Sequence, residues 1–204
     1  IIQDRPVLYY SLKAFEDSAV DEIVLVVGKG EEKFCRKEIV DKYGISKVKA
    51  IVEGGKERYH SVFEGLKQTS DADYVLIHDG ARPFVNQDII RRCMQEVQKY
   101  QACVVGMPVK DTIKIADEEG YAKQTPDRKN VWMIQTPQTF SYALIYEAYE
   151  EMLKTEDAAI TDDAMVLERT KGKKSKLIEG SYRNIKITTP EDLLIANVYL
   201  QHPE

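Results

Sequence analysis

The chain has 204 residues, 43% of them hydrophobic, which is the size and composition of one large globular domain. A net charge of −5 without a basic stripe argues against a nucleic-acid partner, and no apolar run approaches the ~20 residues that span a bilayer. Cys35, Cys93 and Cys103 lack metal-ligand spacing, and no signal peptide is recognisable. We therefore expect a cytoplasmic protein whose cysteines are small core residues.

Apolar runs of strand length alternate with amphipathic segments of helix length along the chain. The predicted strands cover residues 23–27, 48–52, 74–78 and 102–107. The predicted helices cover residues 6–18, 31–43, 56–68, 86–100 and 189–200, with Asn86 and Thr189 as N-caps. This alternation predicts a Rossmann-like α/β fold, with a mostly parallel sheet and helices on both faces. Ligands of such sheets bind at the carboxyl ends of the strands.

Residues 111–139 interrupt this alternation. Segments 112–115 and 121–123 flank Asp117-Glu118-Glu119-Gly120, a pattern that is typical of a hairpin. We expect a protruding β-hairpin arm, which either extends into solvent or embraces a second subunit. No internal repeat or linker divides the remaining sequence, so the prediction is a single domain over residues 1–204, with the arm as a subregion.

Two glycine-containing loops follow predicted strands. Gly28-Lys29-Gly30 lacks the third glycine of a dinucleotide-binding loop and precedes two glutamates, so we expect a plain turn there. Gly54 and Gly55 would let a ligand approach the backbone closely, and Ser61 lies one turn into the helix that follows. The second loop therefore indicates either a site for a base edge or a phosphate, or a tight turn.

The loop His78-Asp79-Gly80-Ala81-Arg82-Pro83-Phe84 carries the strongest local signal. Asp79 ends a buried strand, where a carboxylate is costly unless it is paired or binds a cation. Arg82 follows three residues later, so the loop offers a metal ligand and a phosphate-binding fork, or a structural Asp–Arg pair. We expect His78 to be a hydrogen-bonded core histidine rather than a ligand.

Further candidates lie later in the chain. Arg128 belongs to the arm, and Lys186 lies on a short predicted strand, 184–187, with its side chain opposite to its apolar neighbours. Thr161 is expected to cap a helix. Singly, each is a solvated charge or a cap. Together, Arg82, Arg128 and Lys186 would form a cationic pocket, which in an acidic protein indicates a small anionic substrate.

Several of these segments occur together, and in this order, in one known family. They are Gly54-Gly55-Lys56-Glu57-Arg58, Ser61-Val62, the loop from His78 to Phe84, Asp111-Thr112-Ile113-Lys114, Thr136-Pro137-Gln138, Thr161-Asp162-Asp163-Ala164 and Asn184-Ile185-Lys186. From about Arg5 to Leu200 the chain closely resembles the 2-C-methyl-D-erythritol 4-phosphate cytidylyltransferases of the non-mevalonate isoprenoid pathway. The related ribitol-5-phosphate cytidylyltransferases more often have valine before Arg-Pro-Phe, where this chain has Ala81.

The resemblance implies transfer of CMP from CTP to methylerythritol phosphate, with release of pyrophosphate, and dependence on Mg²⁺ or another divalent cation. Catalytic roles would fall to Lys186, Arg128 and Asp79, with Asp79 as the metal ligand. The residues implied at the nucleotide are Gly54, Gly55, Ser61, Asp79 and Ala81. Those implied at the methylerythritol phosphate are Arg82, Thr112, Arg128, Thr161 and Lys186.

The family's homodimer would supply Thr112 and Arg128 from the arm of the partner subunit, while Thr136 would be a nucleotide-site or structural threonine. The resemblance also implies a preceding strand and a glycine-rich loop around the CTP triphosphate, which no segment here matches. We expect a chain that truly began at Ile1 to bind CTP poorly. Two alternatives stay open: ribitol 5-phosphate as the acceptor, and a non-catalytic relative that binds a nucleotide or only dimerises.

Overall fold

The computed structural model describes residues 1–154 and 160–202. Its helices are α1 (Val7–Glu16), α2 (Glu32–Cys35, continued by a π-helical segment, Arg36–Asp41), α3 (Arg58–Leu66), α4 (Gln87–Tyr100), α5 (Tyr142–Met152), α6 (Asp163–Lys171) and α7 (Pro190–Gln201). Its strands are β1 (Ile23–Val27), β2 (Val48–Glu53), β3 (Tyr74–Ile77), β4 (Ala102–Pro108), β5 (Ile115–Ala116), β6 (Ala122–Gln124), β7 (Trp132–Ser141) and β8 (Lys176–Glu179). The four strands and five helices taken in order from the sequence are confirmed, with ends within two residues.

The sheet combines parallel and antiparallel pairs. β1 and β2 are parallel, and a four-stranded sheet has the order β3-β7-β4-β8. β7 is antiparallel to both of its neighbours, whereas β8 is parallel to β4. The α/β class is therefore confirmed, and the mixed character comes from β7, whose residues 132–139 belong to this sheet although the sequence analysis assigns them to the arm.

Strand β7 is absent from the elements expected from the sequence, for a physical reason. It contains a proline and buried polar residues, Gln135, Thr136 and Gln138, instead of an apolar run. Proline in a central strand normally argues against a strand, because it cannot donate a ladder hydrogen bond. Here Pro137 lies where the register with β4 shifts, between the pairs Val104–Gln138 and Gly106–Ile134.

A cavity of about 750 Å³ lies between β1 and β3. Side chains of α1, α3 and α4 complete its wall, and no ladder joins β1 to β3 within residues 1–154 and 160–202. Its lining includes Arg58, Ser61 and Asp79, so the cavity reaches the carboxyl end of β3. Most of its lining is apolar and runs along the two strands, and only the end at Arg58, Ser61 and Asp79 borders the loops that the sequence marks as site candidates.

The three cysteines are buried, as expected. Burial raises the pKa of Cys93 to about 11 and that of Cys103 to about 12, so both stay protonated thiols near neutral pH. In the part of the chain that the structure describes, no helix is both long and apolar enough to span a bilayer.

Most of the expected turns and caps are present, with one correction. The Asn86 side chain accepts from the Ile89 N–H at 2.9 Å, and Thr189 closes a capping box with Asp192. Helix α6, however, is capped by Asp162, whose carboxylate accepts from the Met165 N–H at 2.8 Å, and the expectation that Thr161 caps it is wrong. A carboxylate suits this place because the helix dipole favours negative charge at an N-terminus.

The arm contains the expected hairpin. β5 and β6 pair antiparallel, and the Asp117 side chain accepts from the Glu119 and Tyr121 N–H groups across the turn. Gly120 takes a φ of 89°, which a side chain would disfavour. The paired strands are only two and three residues long, so most of the arm is irregular and exposed.

Candidate active site

Asp79 lies at the centre of a cluster of cations. Its Oδ2 is 3.1 Å from the Lys186 Nζ and 3.7 Å from the Arg82 Nε, and its Oδ1 is 3.3 Å from the Arg58 Nε. Three separate segments supply these cations: the start of α3, the loop after β3, and residues 184–187. The structure therefore brings Arg82 and Lys186 together beside Asp79, which are two of the three cations that the sequence analysis places in one pocket.

The cations keep the Asp79 side chain ionised. Burial alone would raise its pKa, but the positive charges of Arg58, Lys186 and Arg82 outweigh burial and lower the pKa below the usual range. Asp79 is thus a carboxylate at neutral pH, with its side chain 16% exposed. Such a group can ligate a cation, and its three cationic neighbours can face an anionic ligand.

A network around His78 fixes the Asp79 loop. The Asp79 N–H donates to the Thr136 Oγ1 at 3.1 Å, and that hydroxyl pairs with the His78 Nδ1 at 3.0 Å. The His78 Nε2 contacts the Arg82 carbonyl at 3.1 Å, so the ring bonds at both nitrogens. Burial lowers the pKa of His78 to about 4, so the ring is neutral at pH 7. His78 is the hydrogen-bonded histidine that the sequence predicts, and Thr136 contacts the site loop directly.

Lys186 reaches the cluster from an extended segment that is not a strand. The Ile187 N–H donates to the Ala81 carbonyl at 2.8 Å, and the Arg82 Nη1 donates to the Asn184 carbonyl at 2.7 Å. The Asn184 N–H bonds within a local turn, so no continuous ladder forms, and the predicted strand over 184–187 is wrong. Instead, cross-links to the Asp79 loop hold Lys186 beside the carboxylate, and one of them uses Ala81.

Gly54, Gly55 and Ser61 form one compact turn at the start of α3. The Gly55 N–H donates to the Ser61 Oγ at 3.1 Å, and the Ser61 hydroxyl lies 3.2 Å from the Glu57 carbonyl. A Cβ on Gly55 would come within 2.3 Å of the His60 Cβ, and one on Gly54 within 2.6 Å of the Ser61 Oγ. Only glycine fits at Gly55, whereas a side chain at Gly54 would displace the Ser61 hydroxyl; the end of this turn at Arg58 and Ser61 borders the cavity beside Asp79. The loop after β1, Gly28 to Gly30, is the plain turn expected.

The remaining predicted site residues lie apart from the cluster. Arg128 is exposed on the arm and donates to the Lys110 carbonyl at 2.9 Å, and Thr112 is exposed on the same arm. Thr161 is exposed just before α6. Among the described residues, no hydrogen bond or ion pair joins these three to Asp79.

Comparison with known proteins decides the family. The family model for 2-C-methyl-D-erythritol 4-phosphate cytidylyltransferase matches residues 1–202. The chain belongs to this family. Curated relatives of that name from Lachnospira eligens and Lachnoclostridium phytofermentans are 52% and 49% identical, over 98% of this chain and 88% and 86% of theirs.

Solved structures agree. A 4-diphosphocytidyl-2C-methyl-D-erythritol synthase from Anaerococcus prevotii superposes with a TM-score of 0.90 at 38% identity, covering 99% of this chain and 88% of that one. The 2-C-methyl-D-erythritol 4-phosphate cytidylyltransferase from Thermus thermophilus gives a TM-score of 0.82 at 31% identity, covering 98% and 92%. The resemblance drawn from the sequence segments is therefore confirmed, together with the Rossmann-like fold of the family.

Two residues of this cytidylyltransferase site carry no assigned role in the sequence analysis. Arg58 contacts Asp79 and also forms a two-pronged pair with Asp163, at 2.9 Å from Nη1 and 2.8 Å from Nη2. Both residues stand inside the segments that identify the family, but one follows a turn and the other follows a helix cap. No local pattern reveals that residues 105 positions apart would meet, because only the tertiary packing of α3 against α5, and of α5 against α6, brings them together.

The acidic residues fit a metal that arrives with a nucleotide better than a metal cage. Within residues 1–154 and 160–202, no group of three or more His, Cys, Asp or Glu could enclose an ion. Mg²⁺ commonly binds through one or two carboxylates plus substrate phosphates and water. Asp79, a partly exposed carboxylate beside the cavity, can supply that single protein ligand.

Proposed function

We propose that this chain transfers CMP from CTP to 2-C-methyl-D-erythritol 4-phosphate, giving 4-diphosphocytidyl-2-C-methyl-D-erythritol and pyrophosphate. Membership of the cytidylyltransferase family over residues 1–202 supports the reaction, and the Asp79 cluster is the observation that carries its chemistry. In the reaction, a phosphate oxygen of the acceptor forms a bond to the α-phosphorus of CTP. The bond from that phosphorus to the bridging oxygen breaks, and pyrophosphate leaves with the electron pair.

The cationic side chains have two tasks in this reaction. Lys186 and Arg82 bind the acceptor phosphate and hold its oxygen in line with the α-phosphorus, and Lys186 also offsets the negative charge that grows during transfer. Positioning and charge stabilisation of this kind supply most of the rate in phosphoryl transfer. Arg82 belongs to the Asp79 loop and Lys186 stands on a segment cross-linked to that loop, so little reorganisation is needed.

The nucleotide would lie beside the glycine turn, at the carboxyl end of β3. Gly54, Gly55 and Ser61 present backbone and hydroxyl groups to the cytosine, and Ala81, on the neighbouring loop, lines the nucleotide site. Asp79 would hold Mg²⁺, which when bound neutralises part of the triphosphate charge. Thr161, exposed before α6, would contact the acceptor as well.

The arm completes the acceptor site from a second subunit in this proposal. Arg128 and Thr112 are exposed and lie apart from Asp79 within one chain, which leaves them free to reach another copy. A homodimer with exchanged arms would add the Arg128 guanidinium to the phosphate pocket. The buried, protonated thiols agree with a reducing cytoplasm as the site of action.

Release of pyrophosphate tests the activity. The protein is supplied with CTP and Mg²⁺, and with either methylerythritol phosphate or ribitol 5-phosphate in parallel reactions. We expect turnover in the reaction with methylerythritol phosphate and none in the reaction with ribitol 5-phosphate. The turnover should be lost when a chelator removes the metal. Turnover with ribitol 5-phosphate alone would move the protein to the other acceptor, and turnover with neither would favour a non-catalytic relative.

Mixing two inactive variants tests the shared site. Arg128→Ala and Lys186→Met proteins are each expected to be nearly inactive. After subunit exchange, half of the dimers are mixed, and one of the two sites in each mixed dimer contains both native residues. About a quarter of wild-type activity should return if the arm acts on the partner. No recovery, with exchange verified by mass spectrometry, would show that Arg128 does not act across subunits.

A further inference from the structure

Asp163 is a fully buried carboxylate at the first position of α6. Its Oδ1 accepts from the Tyr149 hydroxyl at 2.5 Å and from the Arg58 Nη1 at 2.9 Å, and its Oδ2 accepts from the Arg58 Nη2 at 2.8 Å. Tyr149 is itself 0% exposed. Burial and the neighbouring Asp163 charge raise the pKa of Tyr149 well above its usual value, so the hydroxyl stays protonated and donates.

These contacts continue to the catalytic loop. The same Arg58 guanidinium that is held at both Nη atoms by Asp163 places its Nε 3.3 Å from the Asp79 Oδ1. Four elements are thereby joined in series: α5 through Tyr149, α6 through Asp163, α3 through Arg58, and the loop after β3 through Asp79. Each of these side chains contacts a side chain on the next element, so the contacts form one continuous series from α5 to the Asp79 loop.

Stability alone does not account for this arrangement. A buried ion pair recovers little more than the cost of removing its charges from water, and apolar residues of equal volume are often as good or better. What a two-pronged carboxylate does provide is a fixed plane for the guanidinium, which otherwise samples many conformations. With both Nη atoms held, the direction of the Arg58 Nε–H follows from the position of Asp163.

We propose that Asp163, supported by the Tyr149 hydroxyl, is a positioning residue that holds Arg58 against Asp79. Its effect on the reaction rests on the proposed CMP transfer, in which Asp79 and its cations face the substrates. Misplacement of a catalytic group by about 1 Å can lower a rate about 100-fold. The position of Asp163 therefore affects turnover although its side chain is completely buried.

Two substitutions separate positioning from ordinary packing. Asp163→Asn removes the charge that binds both Nη atoms while keeping the shape of the side chain. Tyr149→Phe removes only the hydroxyl that orients Asp163, and it serves as the second variant should Asp163→Asn fail to fold. Asp162→Asn is the matched control, since Asp162 belongs to the same helix terminus and bonds to the Met165 N–H and the Gln138 side chain. Asparagine is an equally good N-cap, so the control loses the same charge without touching Arg58.

The first readout does not require activity. In a proton–nitrogen NMR spectrum, the Arg58 Nε–H is assigned by its loss in Arg58→Lys. We expect a hydrogen-bonded signal that exchanges slowly with water in the wild type and in Asp162→Asn. In Asp163→Asn and Tyr149→Phe, exchange should be about tenfold faster or more. An unchanged Arg58 signal in both variants would overturn the positioning role.

The second readout is a double-mutant cycle on kcat/KM. Asp163→Asn should lower kcat/KM about 30-fold or more in the wild type, but less than about threefold in the Arg58→Lys background, because residues that act through one another are not additive. Equal losses in both backgrounds, or an equal loss in Asp162→Asn, would overturn the proposal. Absence of turnover in the wild type would contradict the proposed function instead, and the NMR readout would still decide whether Asp163 positions Arg58.

Discussion

Replacing Lys186 separates the catalytic contribution of a charge from its contribution to stability. The Lys186 Nζ is 3.1 Å from the Asp79 Oδ2, and its side chain is 42% exposed. Partly exposed ion pairs of this kind contribute about 0–1 kcal/mol to folding, because water screens them. The free energy of unfolding of Lys186→Met should therefore fall by no more than about 1 kcal/mol.

The effect on turnover should be much larger. Removing a single group that stabilises transition-state charge in a shielded site typically costs about 2.7–4 kcal/mol, which corresponds to a 10²–10³-fold loss in rate. We expect kcat/KM for methylerythritol phosphate to fall within that range, while KM for CTP changes little. Steady-state pyrophosphate release at varied acceptor concentration measures the first, and urea unfolding measures stability.

Lys49 provides the matched control. Its Nζ pairs with Glu22 at 2.9 Å, and its side chain is 47% exposed, so the ion pair resembles that of Lys186 in length and exposure. It lies on β2, and no contact links it to Asp79 in the part of the chain that the structure describes. Lys49→Met should leave kcat/KM within about twofold. A loss of less than about threefold in Lys186→Met, or an equal loss in both variants, would refute the role given to Lys186.

Three further changes have defined outcomes. Gly55→Ala should lower the free energy of unfolding by about 1–3 kcal/mol and raise KM for CTP, because the new Cβ would lie 2.3 Å from the His60 Cβ. In the control Gly28→Ala the new Cβ meets only the flexible Glu31 side chain, so neither the stability nor KM for CTP should change. The pKa of His78 is about 4 in the folded protein and 6.5 in the unfolded chain, so its contribution of about 3 kcal/mol to the free energy of unfolding is present above pH 6.5 and is lost as the pH falls to 4. In urea unfolding at both pH values, His78→Gln should lack this part of the decrease in the free energy of unfolding. Asp79→Asn should raise the half-saturating Mg²⁺ concentration for turnover at least about tenfold, and an unchanged value would remove Asp79 as the metal ligand.

The elements with regular patterns could be predicted from the sequence because their patterning is local. The apolar run of β1 and the caps at Asn86 and Thr189 each depend on neighbouring residues, and each is observed. β7 could not be predicted in this way, since its buried glutamines and Thr136 have hydrogen-bond partners far along the chain. Their polarity is satisfied only by the tertiary fold, so the strand resembles a loop in sequence.

The site was partly predictable for the same reason. Asp79 and Arg82 belong to one short loop, and a carboxylate at the end of a buried strand is itself a signal, because it is costly there unless it is paired or binds a cation. The contact of Lys186 with Asp79 spans more than 100 residues and was indicated by the family resemblance rather than by spacing. Asp163 gave no signal, because an aspartate near a helix N-terminus is ordinarily explained by the helix dipole.

A competition experiment tests the central claim most directly. Equal concentrations of methylerythritol phosphate and ribitol 5-phosphate are incubated together with the protein, CTP and Mg²⁺, and the products are separated by mass. Their ratio gives the ratio of the two kcat/KM values. We predict that 4-diphosphocytidyl-2-C-methyl-D-erythritol forms in at least about 100-fold excess, a preference of about 2.7 kcal/mol. A predominance of the ribitol product, or no transfer of CMP to either acceptor, would contradict the account.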